Sequence, residues 1–91
     1  MIYSSDIGYK ISIITPTYNS QKTIEENIKS VLSQKFTNWE QIIIDNCSTD
    51  KTLEIVNKFK NRKIKIFSEK DKGIYDALNK GIKISTGNII S

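Results

Sequence analysis

Two short polar stretches hold most of the side chains in this sequence that are equipped for chemistry. One is Pro16-Thr17-Tyr18-Asn19, the other Asp45-Asn46-Cys47-Ser48-Thr49-Asp50, and each follows directly on an apolar run. A nucleoside needs a flat surface for its base and a carboxylate or amide for the base edge or ribose hydroxyls. Its phosphates need backbone N–H groups or a cation. Tyr18 suits the first requirement, Asp45 and Asn46 the second, and the turn at Lys72-Gly73 the third. The same residues admit a plainer use, in which Asp45 to Asp50 caps a helix and Tyr18 packs on a sheet edge. Composition does not choose between them.

Other chemistries are easier to dismiss. The chain has no histidine, which excludes His-based triads and His metal ligands. No Gly-x-Gly-x-x-Gly follows a strand and no Gly-Lys-Ser/Thr loop is present, which argues against dinucleotide and P-loop NTPase sites. Cys47, the single cysteine, has no His to activate it as a nucleophile. Of Asp71 and Asp76, one is expected to cap a helix and the other to reach a cleft, while Tyr75 suits cleft or core, with core favoured.

The elements that must position these groups follow from periodicity. Ile42-Ile43-Ile44 is an unbroken β-branched run, the pattern of a strand covered on both faces, as in a parallel sheet between helices. This strand spans Glu40–Asp45, so Asp45 and Asn46 stand at its carboxyl end, where open α/β sheets bind ligands. Ser48 or Thr49 then reads as an N-cap, with Asp50 in the first helical turn. Ile11–Thr15 is an earlier strand, ended by Pro16 because proline cannot donate to a ladder. Ile24, Ile28, Val31 and Leu32 form the inward stripe of a helix from Ser20 to about Gln34, after which Phe36 and Trp39 flank a loop. Leu53, Val56 and Phe59 mark a second helix beginning at Thr49, and Ile64–Phe67 a third strand. Ile74, Ala77, Leu78, Gly81 and Ile82 mark a third helix ended near Gly87, and Asn88–Ser91 begins a fourth strand.

The order β-α-β-α-β-α-β builds, by right-handed crossovers, a Rossmann-like three-layer α/β/α arrangement on a parallel sheet of about four strands. With the first strand central, the Pro16–Asn19 and Asp45–Ser48 loops face each other across adjacent strand ends. Ninety-one residues make one domain with a thin core. Residues 1–10 read as a lead-in and 11–91 as the folded part. A net charge of +4 favours anionic partners without choosing one. The basic run from Lys58 to Lys65, interleaved with apolar residues, reads as the solvated rim of a helix-to-strand turn. No apolar run approaches the roughly 18 residues that span a bilayer, and Met1–Lys10 lacks a signal-peptide core. With a lone cysteine, the expected compartment is cytoplasmic.

Ile11-Ser-Ile-Ile-Thr-Pro-Thr-Tyr-Asn19, Ser30-Val-Leu-Ser-Gln34, Trp39 through Asp50, Asp71-Lys-Gly-Ile-Tyr-Asp-Ala-Leu-Asn-Lys-Gly81 and Thr86-Gly-Asn88 together resemble family 2 glycosyltransferases of the GT-A fold. The resemblance covers about residues 10 to 91. It implies an inverting enzyme that moves a sugar from a UDP- or GDP-sugar to the hydroxyl of a glycan or lipid-linked acceptor, commonly in bacterial polysaccharide synthesis. It also implies no nucleic-acid partner, and a full-length protein peripheral to the inner face of the membrane.

By position, Pro16, Thr17, Tyr18 and Asn19 would line the base and ribose pocket, Asp45 and Asn46 would hold the base edge, and Lys72, Gly73 and Asp76 would lie toward ribose and diphosphate. Many relatives carry a second acid where this chain has Asn46, and an amide both donates and accepts where a carboxylate only accepts. The family's Asp-x-Asp-type motif, which binds Mg or Mn, and its catalytic base fall beyond Ser91. No catalytic or metal-binding residue is therefore expected here, and these residues read as the inactive donor-binding half of a larger enzyme. The alternative is a non-catalytic nucleotide-binding or interaction module of the same fold. An exposed fourth strand with Ile89-Ile90 is expected to favour self-association.

Overall fold

A computed structural model describes residues 10–35, 37–70, 72–87 and 89–90. The elements are β1 (Ile11–Thr17), α1 (Ile24–Leu32), β2 (Trp39–Asp45), α2 (Thr52–Asn57), β3 (Ile64–Ser68), α3 (Ile74–Ile84) and β4 (Ile89–Ile90). The four strands form one parallel sheet in the order β3-β2-β1-β4. Chain direction explains the layers. Going from β1 to β2 to β3 steps one way across the sheet, so right-handed crossovers place α1 and α2 on the same face. The return from β3 to β4 reverses the step and puts α3 on the other face. The expected α/β/α sandwich with β1 in the interior is what forms. The lead-in to residue 9, and Phe36, Asp71, Asn88 and Ser91, lie outside the described residues.

Strand alternation divides the core in two. Trp39, Ile43 and Ile64 meet Ile24 and Ile28 of α1 and Val56 of α2 on one face. Ile14, Ile42 and Ile44 meet Ala77 and Leu78 of α3 on the other. The continuous Ile42-Ile43-Ile44 run is thus buried on both sides, as its lack of alternation implies. Helix α3 approaches closely because of small residues: a Cβ on Gly81 would stand 2.4 Å from Ile14 Cγ2.

Several expectations need correction. Pro16 does not end β1, which continues to Thr17. The Thr17 carbonyl accepts from Asn46 N–H on the β2 side, so the preceding residue's missing N–H faces the β4 side. Among the described residues β4 pairs with Ile11 and Ser12, so none of the described ladder bonds needs an N–H at Pro16. Trp39 is the buried first residue of β2, not a loop residue. Leu32, Ile74 and Ile82, assigned inward by period, are exposed, because α1 and α3 contact the sheet along narrower stripes than the period allows. Tyr75, read as core, is 81% exposed on α3. The basic turn is solvated as expected, and Lys63 folds back over the Trp39 ring at 5.0 Å and donates to the Thr37 carbonyl. Among the described residues no helix is long and apolar enough to cross a membrane.

The amino end of β2 carries a buried carboxylate. Glu40 Oε2 accepts from Ser12 Oγ (2.7 Å), from Thr86 N–H (2.6 Å) and from Thr86 Oγ1 (3.1 Å). Its Oε1 pairs with Lys65 Nζ at 3.1 Å, with Lys10 Nζ at 3.9 Å. Gly87 N–H donates to Ser12 Oγ, and a Cβ on Gly87 would fall 2.4 Å from that oxygen, so glycine is required for this closure. One acid therefore ties β1, β2, β3 and the segment after α3. Burial opposes ionisation of Glu40, but the bonds from Ser12, Thr86 and Lys65 outweigh it and hold its pKa near 2 instead of 4.5.

Because the folded-state value is the lower one, this stability is complete above about pH 4.5 and disappears as pH falls toward 2. Glu40→Gln is expected to cost about 3 kcal/mol at neutral pH, with the gap from wild type closing across that acid range. Urea unfolding at stepped pH measures this, and a gap independent of pH contradicts it.

Candidate functional site

The β1–β2 register sets Thr17 opposite Asp45, so the elbows that follow them emerge side by side at the carboxyl end of the sheet. Asn19 (φ 48°) and Cys47 (φ 50°) adopt left-handed backbone there, turning each chain sharply. The elbows are then laced together. Asn19 N–H donates to Ser48 Oγ at 2.9 Å, and Asn19 Oδ1 accepts from Thr49 N–H at 2.8 Å and Asp50 N–H at 3.3 Å. Ser20 N–H donates to Thr52 Oγ1, Gln21 N–H to Asp50 Oδ2, and Lys51 N–H to Gln21 Oε1.

Both helices start later than their periodicity suggests. Helix α2 begins at Thr52 with no side-chain cap, not at Thr49 with a Ser48 or Thr49 cap. The amides of residues 49–51 are taken by Asn19 and Gln21 from across the cleft, and Asp50 Oδ1 accepts from Thr52 N–H at 2.9 Å. Helix α1 begins at Ile24 and not at Ser20, after a turn in which the Ser20 carbonyl accepts from both Thr23 and Ile24 N–H. Burial opposes ionisation of Asp50, yet the bonds from Thr52 and Gln21 bring its pKa below the usual value.

Asp45 and Asn46 are adjacent and so face opposite sides of the sheet. The Asp45 carboxylate is fully buried on the α1/α2 side. Asn46 lies on the α3 side, where it helps line a concavity of about 280 Å³ with Pro16, Thr17, Tyr18, Gly73, Ile74 and Ala77. Tyr18 and Ile74 are 59% and 61% exposed, so the rim presents an aromatic ring and an aliphatic chain to an incoming molecule. Gly73 enters α3 with φ 123°, a left-handed conformation that side chains rarely adopt, although a Cβ there would touch nothing.

Asp76 anchors the loop before α3. Its Oδ2 accepts from Lys72 N–H at 2.9 Å, which is the main reason its pKa is lowered, with Lys80 at 3.5 Å assisting. Lys80 also pairs with Glu69 at 3.2 Å and donates to the Lys70 carbonyl. A larger groove of about 440 Å³ lies between β3 and α3, with Ile44, Ile66, Phe67 and Ile84 among its walls. Ser68, Glu69, Lys80 and Lys83 complete its lining, so it is no more apolar than the strand-end concavity; it differs in lying along β3 and α3 and not between the β1 and β2 elbows.

Of the residues singled out from sequence, Pro16, Thr17, Tyr18, Asn46 and Gly73 converge on one concavity. Asn19, Asp45, Lys72 and Asp76 do not line it. Asn19, Asp45 and Asp76 hold its walls, and Lys72 is exposed on the neighbouring loop. Sequence reasoning missed Ile74 and Ala77 as lining residues, having placed both in the core stripe. It also missed Ser68, whose hydroxyl reaches Asp45 from β3. Parity along three aligned strand ends carries that signal, but only once their register is known. Among the described residues no three acidic, cysteine or histidine side chains gather to hold a metal ion.

The sequence profile described as Glycosyl transferase family 2 matches residues 12–91. The chain belongs to that family. The Escherichia coli UDP-Glc:alpha-D-GlcNAc-diphosphoundecaprenol beta-1,3-glucosyltransferase WfgD is 39% identical over 84 residues, covering 91% of this chain and 33% of that protein. Crystalline Staphylococcus aureus TarS 1-349 in complex with UDP superposes with a TM-score of 0.79 at 36% identity, over 89% of this chain and 25% of TarS 1-349. The mannosyltransferase PcManGT from Pyrobaculum calidifontis, in complex with GDP-Man and Mn2+, gives 0.84 at 27% identity, over 90% and 26%. This family 2 chain spans about a third of the length of the curated relatives it matches, and its fold is the Rossmann-like part of the GT-A enzymes.

The lacing makes a direct prediction. Asn19→Ala removes the acceptor for two amides and leaves alanine in a left-handed conformation, for an expected loss of about 1–2 kcal/mol. Amide exchange at Thr49 and Asp50 should accelerate selectively. Unchanged exchange at both would show that Asn19 does not hold the elbow.

Proposed function

We propose that the strand-end concavity binds the nucleoside part of a sugar nucleotide. The parent protein then transfers the sugar, with inversion, to an acceptor hydroxyl in the synthesis of a bacterial polysaccharide or lipid-linked glycan. One observation carries the reading: in a family 2 glycosyltransferase sequence, an aromatic ring, an amide and a glycine turn converge at the carboxyl ends of parallel strands, where such sheets take ligands. Tyr18 supplies the surface for the base, Asn46 its edge, Pro16 and Thr17 the wall beside the ribose, and Gly73 the close backbone approach. Lys72 supplies positive charge for the diphosphate, while Asn19 and Asp76 keep the two loops in place.

The UDP complex of TarS and the GDP-Man complex of PcManGT support both nucleotides as ligands of this fold. Because Asn46 both donates and accepts, it can serve a uracil or a guanine edge. We take residues 11–91 as the nucleotide-binding portion. The parent enzyme's divalent cation, Mg2+ or Mn2+, and its base are assigned to other parts of that protein. Asp45, Asp50 and Asp76 do not form a donor set, and no transfer step is assigned through them. On this reading residues 11–91 turn over no donor alone, and the parent works on the inner face of the membrane against a glycan or lipid-linked acceptor.

Calorimetry and NMR titration with UDP and GDP, with and without Mn2+, test the reading. The expected result is saturable binding near about 1 mM, unaffected by Mn2+, with amide shifts at Tyr18, Asn46, Gly73 and Ile74. Shifts confined to the β3–α3 groove, or none, contradict it. Strand β4 pairs with β1 alone among the described strands, and self-association through its outer edge is proposed on that ground. Light scattering should show mass rising with concentration, and a constant monomer mass removes this proposal.

A further inference from the structure

We propose that Asp45 is a positioning residue that sets the geometry of the nucleotide pocket from behind, without touching the ligand. The inference rests on the nucleotide-binding reading above and concerns how the site is held. Asp45 is the last residue of β2 and is 0% exposed. Its Oδ1 accepts from Thr17 Oγ1 at 2.7 Å and from Ser48 Oγ at 2.5 Å. Its Oδ2 accepts from Ser48 N–H at 2.8 Å and from Ser68 Oγ at 3.1 Å. A carboxylate has about four lone-pair positions, and four protein donors fill them. No acceptor capacity is left for a base or a ribose hydroxyl, and the concavity opens on the opposite face of the sheet, beside Asn46.

The four donors come from the ends of three strands, two of which lead directly into walls of that concavity. Thr17 ends β1 and precedes Tyr18, Ser48 closes the elbow that carries Asn46, and Ser68 ends β3 and leads into the loop that reaches Gly73. Backbone bonds run parallel to the side-chain ones. Asn46 N–H donates to the Thr17 carbonyl at 2.9 Å and Glu69 N–H to the Asp45 carbonyl at 3.0 Å. One buried acid thus clamps the base surface and the amide that reads the base edge to one another, and anchors the strand end from which the chain runs on to the glycine turn. All four groups bonded to it donate in this arrangement, although only Ser48 N–H is an obligate donor. An amide at position 45 keeps one acceptor oxygen, and its NH2 is met only if the Thr17, Ser48 or Ser68 hydroxyls turn to accept, so part of the clamp is lost. The clamp holds position 46 through its backbone and leaves the choice of side chain there unconstrained.

A positioning role and a contact role differ in what they do to ligand selectivity. Removing a group that reads the base changes the UDP to GDP affinity ratio. Loosening the strand ends behind the site together weakens both nucleotides by the same factor. The test combines UDP and GDP titrations with amide exchange in the ligand-free protein, for Asp45→Asn, Ser68→Ala and Asn46→Ala. Asp45→Asn is expected to weaken UDP and GDP equally, by about tenfold or more, since it replaces bonds to a charged group. It should also accelerate exchange in residues 17–21, 46–52 and 69–73 together. Ser68→Ala, which lies off the concavity, should weaken both by a smaller equal factor of about threefold, roughly half a hydrogen bond to a charged group, with faster exchange in residues 69–73. Asn46→Ala should change the ratio.

If Asp45→Asn shifts the UDP to GDP ratio as Asn46→Ala does, or leaves exchange in the three loops unchanged, the proposal is overturned. If Asp45→Asn does not fold, Ser68→Ala decides by the same two readouts. If the wild-type protein binds neither nucleotide, the reading of the site as a nucleotide pocket fails. The exchange pattern still decides whether Asp45 clamps the three loops.

Discussion

Everything at the carboxyl end of the sheet depends on the burial of one carboxylate among donors supplied by three strands. Taking an ionised side chain out of water is costly unless its hydrogen bonds are replaced, and at Asp45 every one of them is replaced from Thr17, Ser48 and Ser68. The replacement works only if β1, β2 and β3 end at the same level. The parallel register achieves this by pairing Thr17 with Asp45 and Asp45 with Ser68. Register and acid are therefore mutually dependent. A slip of one residue would place a carboxylate against apolar partners and strip the elbows of their common anchor.

Strand β2 repeats the device at its other end on its other face. Glu40 gathers Ser12, Lys65, Lys10 and Thr86 on the α3 side, just as Asp45 gathers its donors on the α1/α2 side. Three isoleucines lie between them, each fully covered. The core of so short a chain is thin, and polar clamps at the two poles of its central strand define the sheet ends where apolar contact is sparse. The two acids differ in their company. Glu40 has ammonium partners and an unusually low pKa, while the donors to Asp45 are hydroxyls and a backbone amide.

The concavity is a consequence of where α3 crosses. Ala77 and Gly81 let that helix settle against Ile14, and its amino end, entered through Gly73, comes to rest beside Pro16 and Asn46. The apolar residues on either flank of this small-residue stripe remain at the surface, so Ile74 and Tyr75 are available near the site and not consumed in the core. The lacing between residues 19–21 and 48–52 satisfies backbone amides that precede α2 and would have no acceptor within the helix, and fixes the pair of elbows.

The order of elements, the parallel sheet and the position of the two polar elbows were legible in the sequence by itself. β-branched runs, helical periodicity and the handedness of crossovers are local or nearly local constraints. Family membership was legible for the same reason, since its motifs are contiguous. What the sequence could not decide was the fate of neighbouring polar residues. Asp45 and Asn46 look interchangeable as a pair, yet one is buried behind the site and the other lines it. Strand alternation separates them, but only the crossing of α3 determines which face holds the concavity. The exposure of Leu32, Ile74 and Ile82 and the role of Ser68 were likewise settled by partners distant in sequence. A hydrogen-bond donor goes where an acceptor is buried, and that is a property of the assembled sheet.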